Sequence, residues 1–230
     1  TSTFKLSQIL KKFNFTNLLI FYPSLRIYIS AKLAGIKNIF AYKFFEKKNL
    51  HLVKAAKILT EKFLGVDDCQ TETNFVIENK KIEKINNEFK NSFKIVIGAG
   101  SSGPTTRWGS DNFAKLINKL NENDDYIFFI LCGPNEKTIE DEIINKLNKK
   151  NYVKLSDKKI IEVVPYLCAC NMYVGNDSFG SHISAQAGKK SIVFLLDSPK
   201  AYTDYSKNFF RLVPEGFNID DITHNTKADP

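Results

Sequence analysis

Arginine is scarce in this sequence. Of 33 cationic side chains only Arg26, Arg107 and Arg211 carry a guanidinium, and the rest are lysines. Nucleic-acid recognition favours the planar, two-pronged guanidinium, whereas these lysines are scattered among asparagines, so no nucleic-acid partner is expected. Long apolar runs are also missing. The longest, residues 18–22 and 126–132, fall well short of the about 18 residues of a membrane span and suit buried strands. Four cysteines, Cys69, Cys132, Cys168 and Cys170, show neither a disulfide framework nor a second Cys or His pair at zinc spacing. That usage points to reduced thiols and a cytoplasmic location. No Asp-x-Asp occurs, and the opening residues lack the cationic, apolar and small-residue order of an export signal. The chain starts at Thr1 without an initiator Met, which sets the expectation of residues missing upstream.

What remains is an ordinary globular composition. With 230 residues, 43% of them hydrophobic, 13% aromatic and 25% charged, the chain has room for one large domain or two modest ones. The formal charge of +8 fits a solvated basic surface, or a weak attraction to anionic membrane.

Helical and strand-like periods alternate along the chain. Residues 2–13, 24–34 and 51–63 read as helices, with strands at 18–22 and 38–42. Residues 67–92 are rich in Asn, Lys, Glu and Thr, with only 74–77 strand-like, and a domain junction belongs there. From residue 93 the pattern resumes, with strands at 93–97, 126–131, 172–174 and 191–195. Helices follow at 112–120, 139–148, 160–168 and 181–187. Such an order implies parallel strands with helices on both faces, and ligands sit at the carboxyl ends of such strands. The expected domains are 1–90, which includes the linker, and 91–230.

Three strand ends carry chemistry. The first, Gly98-Ala99-Gly100-Ser101-Ser102-Gly103, matches the Gly-x-Gly-x-x-Gly spacing of dinucleotide sites. A dinucleotide fingerprint would start its helix within the glycine turn, however, and here six residues intervene before a helix capped by Ser110 or Asp111. The strand at 126–131 ends without the acidic residue that would hold a ribose. The loop offers small residues, hydroxyls and Arg107 to a phosphate-bearing ligand, while Trp108 has the ordinary alternative of packing under the sheet. The second end is Gly133-Pro134-Asn135-Glu136. Glu136 either favours a helix dipole or accepts ribose hydroxyls. The third, Gly175-Asn176-Asp177-Ser178-Phe179-Gly180-Ser181-His182, turns straight into a helix and exposes its first amides, a ready anion site. Asp177 and Ser178 are also natural N-caps, and His182 a natural helix residue.

These three motifs, in register, resemble glycosyltransferase family 9, the lipopolysaccharide heptosyltransferase-like group. Upstream, Tyr22-Pro23-Ser24-Leu25-Arg26 and Ala34-Gly35-Ile36 look like the later part of that family's N-terminal domain. The resemblance implies a GT-B-like fold of two Rossmann-like parallel-sheet domains, the N-terminal one incomplete. It implies a metal-independent, inverting transfer of a heptose-like sugar from a nucleotide-diphosphate donor to a lipopolysaccharide or other lipid-linked saccharide, with no cofactor. Glu136 would hold the ribose. Asp177, Ser178 and the amides near Gly180 and Ser181 would meet the diphosphate or the sugar, supported by His182, and Ser101, Ser102 and Arg107 would close the other side. Peripheral contact with the cytoplasmic face of the inner membrane is implied as well.

Departures accompany the likeness. Thr106 stands where the family commonly has Lys, Phe179 where it has Gly, and Asp197-Ser198-Pro199 replaces a Gly-Pro-Thr turn. No Gly-Asp element that would hold the general base precedes the first helix, so the base is expected upstream of Thr1. Two other readings stay open: a catalytically incomplete nucleotide-sugar-binding module, and a dinucleotide-dependent oxidoreductase acting through the Gly98 loop.

Overall fold

The computed structural model describes residues 2–22, 24–42, 52–72, 77–122, 125–223 and 226. The chain divides into two compact units, Thr1–Thr71 and Glu72–Pro230.

The first unit runs α1 (Thr3–Lys12), β1 (Asn17–Ile20), α2 (Leu25–Leu33), β2 (Asn38–Ala41) and α3 (Leu52–Leu64). Serines begin the first two helices: the Lys5 amide donates to Ser2 Oγ at 3.2 Å and the Ile27 amide to Ser24 Oγ at 3.3 Å. β1 and β2 pair in parallel with Asn17 opposite Asn38. α1 lies on α2, where the buried Ser30 hydroxyl donates to the Thr3 carbonyl at 3.0 Å.

The second unit begins with α4 (Asn79–Glu88), then β3 (Phe93–Gly98), α5 (Ser110–Leu120), β4 (Tyr126–Leu131) and α6 (Lys137–Ile144). It continues with β5 (Tyr152–Lys154), α7 (Ile160–Ala169), β6 (Met172–Asn176), α8 (Phe179–Gln186), β7 (Lys190–Phe194) and β8 (Phe209–Leu212). All six strands are parallel, in the order β5-β4-β3-β6-β7-β8. Alternate side chains point to opposite faces, so each strand feeds two cores. Val96, Phe129, Tyr173 and Val193 meet α7, Ala185 of α8 and Ile85 of α4 on one side. Ile95, Ile97, Phe128, Ile130, Val174 and Phe194 meet Phe113, Ala114 and Ile117 of α5 and Ile143 of α6 on the other. Burying a phenylalanine such as Phe113, Phe128 or Phe129 stabilises the fold by about 1.5–3 kcal/mol relative to leaving it exposed.

The compact units part at Thr71 and Glu72, inside the junction expected over residues 67–92 but ahead of its 1–90 bound. The difference is α4, which packs on α7 and brings Ile82, Ile85 and Phe89 to the core, Phe89 lying edge-on to Phe129 at 5.4 Å. The strand expected at 74–77 falls, for residues 74–76, outside the described residues, and Ile77 is in no strand. α5 begins at Ser110 after Gly109, whose φ of +98° suits glycine, so neither Ser110 nor Asp111 is the cap. The Ser110 hydroxyl donates to Glu142 of α6 instead, at 2.6 Å.

Candidate functional site

Strand order reverses between β3 and β6: the chain leaves β3 toward β4 on one side and β6 toward β7 on the other. Connections diverging from adjacent strands open a crevice at their carboxyl ends. A cavity of about 1020 Å³ lies there, at the upper end of ligand-site volumes, walled by the loops that follow β3, β4, β6 and β7. All nine candidate residues lie in or beside it, and Ser181 alone is not part of its lining.

Glu136 is the hub of one wall. Its Oε1 accepts from the Ser101 amide at 3.0 Å and from Arg107 Nη2 at 2.8 Å, and its Oε2 accepts from the Gly133 amide at 2.7 Å. Arg107 Nη2 also donates to the Ser101 carbonyl at 3.0 Å. The carboxylate and guanidinium expected to face a ligand separately are thus tied to each other. A carboxylate holding three charge-assisted bonds keeps part of its accepting capacity, and Arg107 keeps a buried Nε with no partner. A Cβ at Gly100 would sit 2.3 Å from Glu136 Oε2 and 3.2 Å from Cys132 Cα, so a larger residue there would displace the carboxylate. Ser101 is buried and shares a 2.5 Å hydrogen bond with Thr106, which also donates to the Gly103 carbonyl at 2.8 Å. Thr106 therefore closes the loop on itself. Ser102 is exposed on the cleft wall.

The second wall is the turn from β6 into α8. Ser178 is the N-cap, its amide donating to Ser181 Oγ at 3.2 Å. The Ser181 amide returns to the Ser178 carbonyl at 3.1 Å, so of the amides expected to face an anion this one is already occupied. Those of Phe179 and Gly180, in the first helical turn, have no acceptor among the described residues. Gly180 has a packing reason to be glycine, since a Cβ would lie 2.4 Å from Leu131 Cδ2 and 2.9 Å from Tyr173 Cε2. Phe179 projects outward, 45% exposed. Below the turn the fully buried Tyr173 hydroxyl donates to the Asn176 carbonyl at 2.9 Å and lies 3.2 Å from Ser178 Oγ. Burial raises that phenol's pKa and keeps it protonated.

Asp177 has a side chain only 7% exposed, yet its Oδ1 accepts no hydrogen bond. His182 Nε2 stands 3.3 Å from that oxygen, off the line for a hydrogen bond. Across the cleft Asp197 accepts from the Thr105 hydroxyl at 2.8 Å and leaves its buried Oδ1 unpaired. Arg107 Nε, Asp177 Oδ1 and Asp197 Oδ1 are unpaired polar atoms around one cavity, and leaving such atoms unmet costs about 1–3 kcal/mol each. Cys132 also lines the cavity; burial pushes its thiol up to about 12, which excludes it as a nucleophile near neutrality.

Sequence reading missed three contributors. Asn176 is fully buried: its Nδ2 donates to the Ala99 carbonyl at 2.8 Å and its Oδ1 accepts from the Trp108 amide at 2.9 Å. Asp197 emerged there only as a departure, although an acid just past a strand end was a usable signal. Tyr205, bonded to His182 Nδ1 at 2.7 Å, comes from a distant loop with no local signal. Trp108 stacks on Phe194 at 4.3 Å and meets Phe113 edge-on, the packing alternative. The helix after the Gly98 loop starts only at Ser110, beyond a 3-10 turn at Pro104–Thr106, so no helix end faces that loop's glycines.

Comparison with known proteins places this geometry. The family model of glycosyltransferase family 9 (heptosyltransferase) matches residues 30–212. No curated protein matches the sequence. Among solved structures, ADP-heptose lps heptosyltransferase II of E. coli is similar with a TM-score of 0.70 and 17% identity, over 96% of this chain and 76% of that one. A family 9 glycosyl transferase from Veillonella parvula gives 0.69 and 16%, over 90% and 66%. E. coli heptosyltransferase WaaC with ADP gives 0.67 and 17%, over 95% and 72%.

Proposed function

The chain belongs to glycosyltransferase family 9, and on that premise we propose that it is a metal-independent, inverting transferase moving a heptose-like sugar from a nucleotide-diphosphate donor to a lipid-linked saccharide. The observation that carries the proposal is the turn after β6. There the open amides of Phe179 and Gly180 lie on the same cavity as the unpaired Arg107 Nε and Asp177 Oδ1. In the reaction the acceptor oxygen forms a bond to the anomeric carbon from the face opposite the leaving group. The bond from that carbon to the diphosphate breaks, and the nucleoside diphosphate leaves with the electron pair. A base takes the hydroxyl proton. Charge grows on the departing phosphate oxygen, and preorganised amides and a guanidinium stabilise it without reorganising. Glu136, bonded to Arg107 and two loop amides, retains lone pairs for a ribose hydroxyl, while Asp177 accepts from the sugar.

The acceptor side falls to the first unit, and charge supports that assignment. Residues 1–71 carry twelve lysines and arginines against four acids, residues 72–230 twenty-one against twenty-one, and the first acid in the chain is Glu46. The entire excess of +8 therefore belongs to the first unit, suited to anionic headgroups or an anionic acceptor at the cytoplasmic membrane face. No described helix is long and apolar enough to cross a membrane.

Isothermal titration with ADP, UDP and GDP tests the donor site. One of the three should bind, and Glu136→Gln should weaken it about tenfold or more, the effect of losing a charged hydrogen-bond partner. Negligible heat with all three would overturn the proposal. Binding without transfer to an added lipid-linked saccharide would leave a nucleotide-sugar-binding module.

A further inference from the structure

His182 is the one histidine on the cavity among the described residues, and its two ring nitrogens face different partners. Nε2 is 3.3 Å from Asp177 Oδ1 and Nδ1 is 2.7 Å from the Tyr205 hydroxyl. The ring is clamped: it stacks on Tyr205 at 19° and 5.9 Å between centroids, and both rings meet Phe209 edge-on. Gln186, at the last position of α8, directs its Nε2 to the Tyr205 oxygen at 3.4 Å.

We propose that Tyr205 is a positioning residue: its hydroxyl donates to His182 Nδ1 and so fixes the neutral imidazole as the Nε2–H tautomer, a hydrogen-bond donor presented to the cavity beside Asp177. Two observations agree on this assignment. Gln186 donates to the Tyr205 oxygen, so that oxygen is already an acceptor, and among the described residues its own proton has no acceptor within reach other than Nδ1. On the far side of the ring, the reverse tautomer would set the Nε2 lone pair against a buried carboxylate oxygen that accepts nothing. The tautomer is thus set by the hydrogen bond at the other nitrogen. Burial raises the Tyr205 pKa, which keeps the phenol protonated and able to donate. That Nε2–H meets a phosphate or sugar oxygen of the donor rests on the transferase reading above, whereas the tautomer belongs to the protein alone.

The test is a long-range proton–nitrogen correlation spectrum of the three histidines, read on the basic plateau of His182 with a His182→Gln sample to assign it. Wild type should show the Nε2–H pattern, and Tyr205→Phe, which keeps the stacked ring, should move it toward a rapidly exchanging mixture of tautomers. An Nδ1–H pattern in wild type, or an unchanged pattern in Tyr205→Phe, would overturn the assignment. The wild-type spectrum decides even if the variant fails to fold. Affinity for whichever of ADP, UDP and GDP binds supplies the second readout: Tyr205→Phe should weaken it about fivefold, the worth of one hydrogen bond, and should have no effect in a His182→Gln background. Equal losses in both backgrounds would reduce Tyr205 to a packing residue. Should wild type bind none of ADP, UDP and GDP yet show the expected spectra, the transferase reading fails and the role of Tyr205 stands.

Discussion

The two units share a β-α-β construction and differ in what they hide. In the second, six strands are clad on both faces, and Phe113, Phe128, Phe129 and Tyr173 are sealed from solvent. In the first, the largest buried side chains among the described residues are Ile20, Ile36 and Leu59, while Phe4, Phe13, Tyr22, Leu25 and Leu33 each expose more than half their surface. Charge follows the same division, balanced in the second unit and wholly in excess in the first. A rigid, neutral unit suits a pocket that must hold groups in place. A sticky, basic one suits an extended anionic surface.

Tryptophan fluorescence can probe this contrast, because the sole tryptophan, Trp108, belongs to the second unit. The largest effect should come from Gly175→Ala. Its Cβ would stand 2.4 Å from the Gly98 carbonyl oxygen and 2.6 Å from Gly98 Cα, atoms of a central strand that cannot swing aside. A loss of about 3 kcal/mol in the Trp108 urea transition is expected, and a loss below about 1 kcal/mol would show that the sheet gives more easily than its packing implies. Next, Lys11→Glu combined with Lys12→Glu should weaken binding to anionic vesicles at least about tenfold, at roughly 1 kcal/mol per cation, while the Trp108 midpoint stays put. If Lys149→Glu with Lys150→Glu in the second unit weakened it equally, the division of labour would be gone. Smallest of all, Leu25→Ser should change the free energy of urea unfolding by no more than about 0.5 kcal/mol, as for a surface substitution; a larger change would show that something covers that face.

Legibility in the sequence followed the strength of local signals. β4 was readable to the residue because Tyr126–Leu131 is an uninterrupted apolar run. β5 and β8 were not, being edge strands of three and four residues. α4 was hidden by its composition: Ile82, Ile85 and Phe89 are a sparse stripe in a Lys, Asn and Glu background, and its place in the fold comes from packing on α7. At the site, the strand ends named loops that the fold gathers around one cavity, because a reversal of strand order turns carboxyl ends into a crevice wherever it occurs. What local sequence could not show were couplings between loops. Arg107 and Glu136 lie 29 positions apart and His182 and Tyr205 lie 23 apart, and only the fold makes either pair neighbours. The glycine at 180 looked like an anion-site feature, yet the contacts with Leu131 and Tyr173 alone would demand it.

The buried carboxamide of Asn176 has a consequence for recognition. By gripping Ala99 on one side and Trp108 on the other, it rivets both ends of the glycine-rich loop to the strand that carries the opposite rim. The gap between the rims is accordingly fixed before any visitor arrives, and neither rim can retreat without exposing a sealed amide. A loop anchored in this way gives a ligand a preformed place and lowers the cost of ordering it on binding.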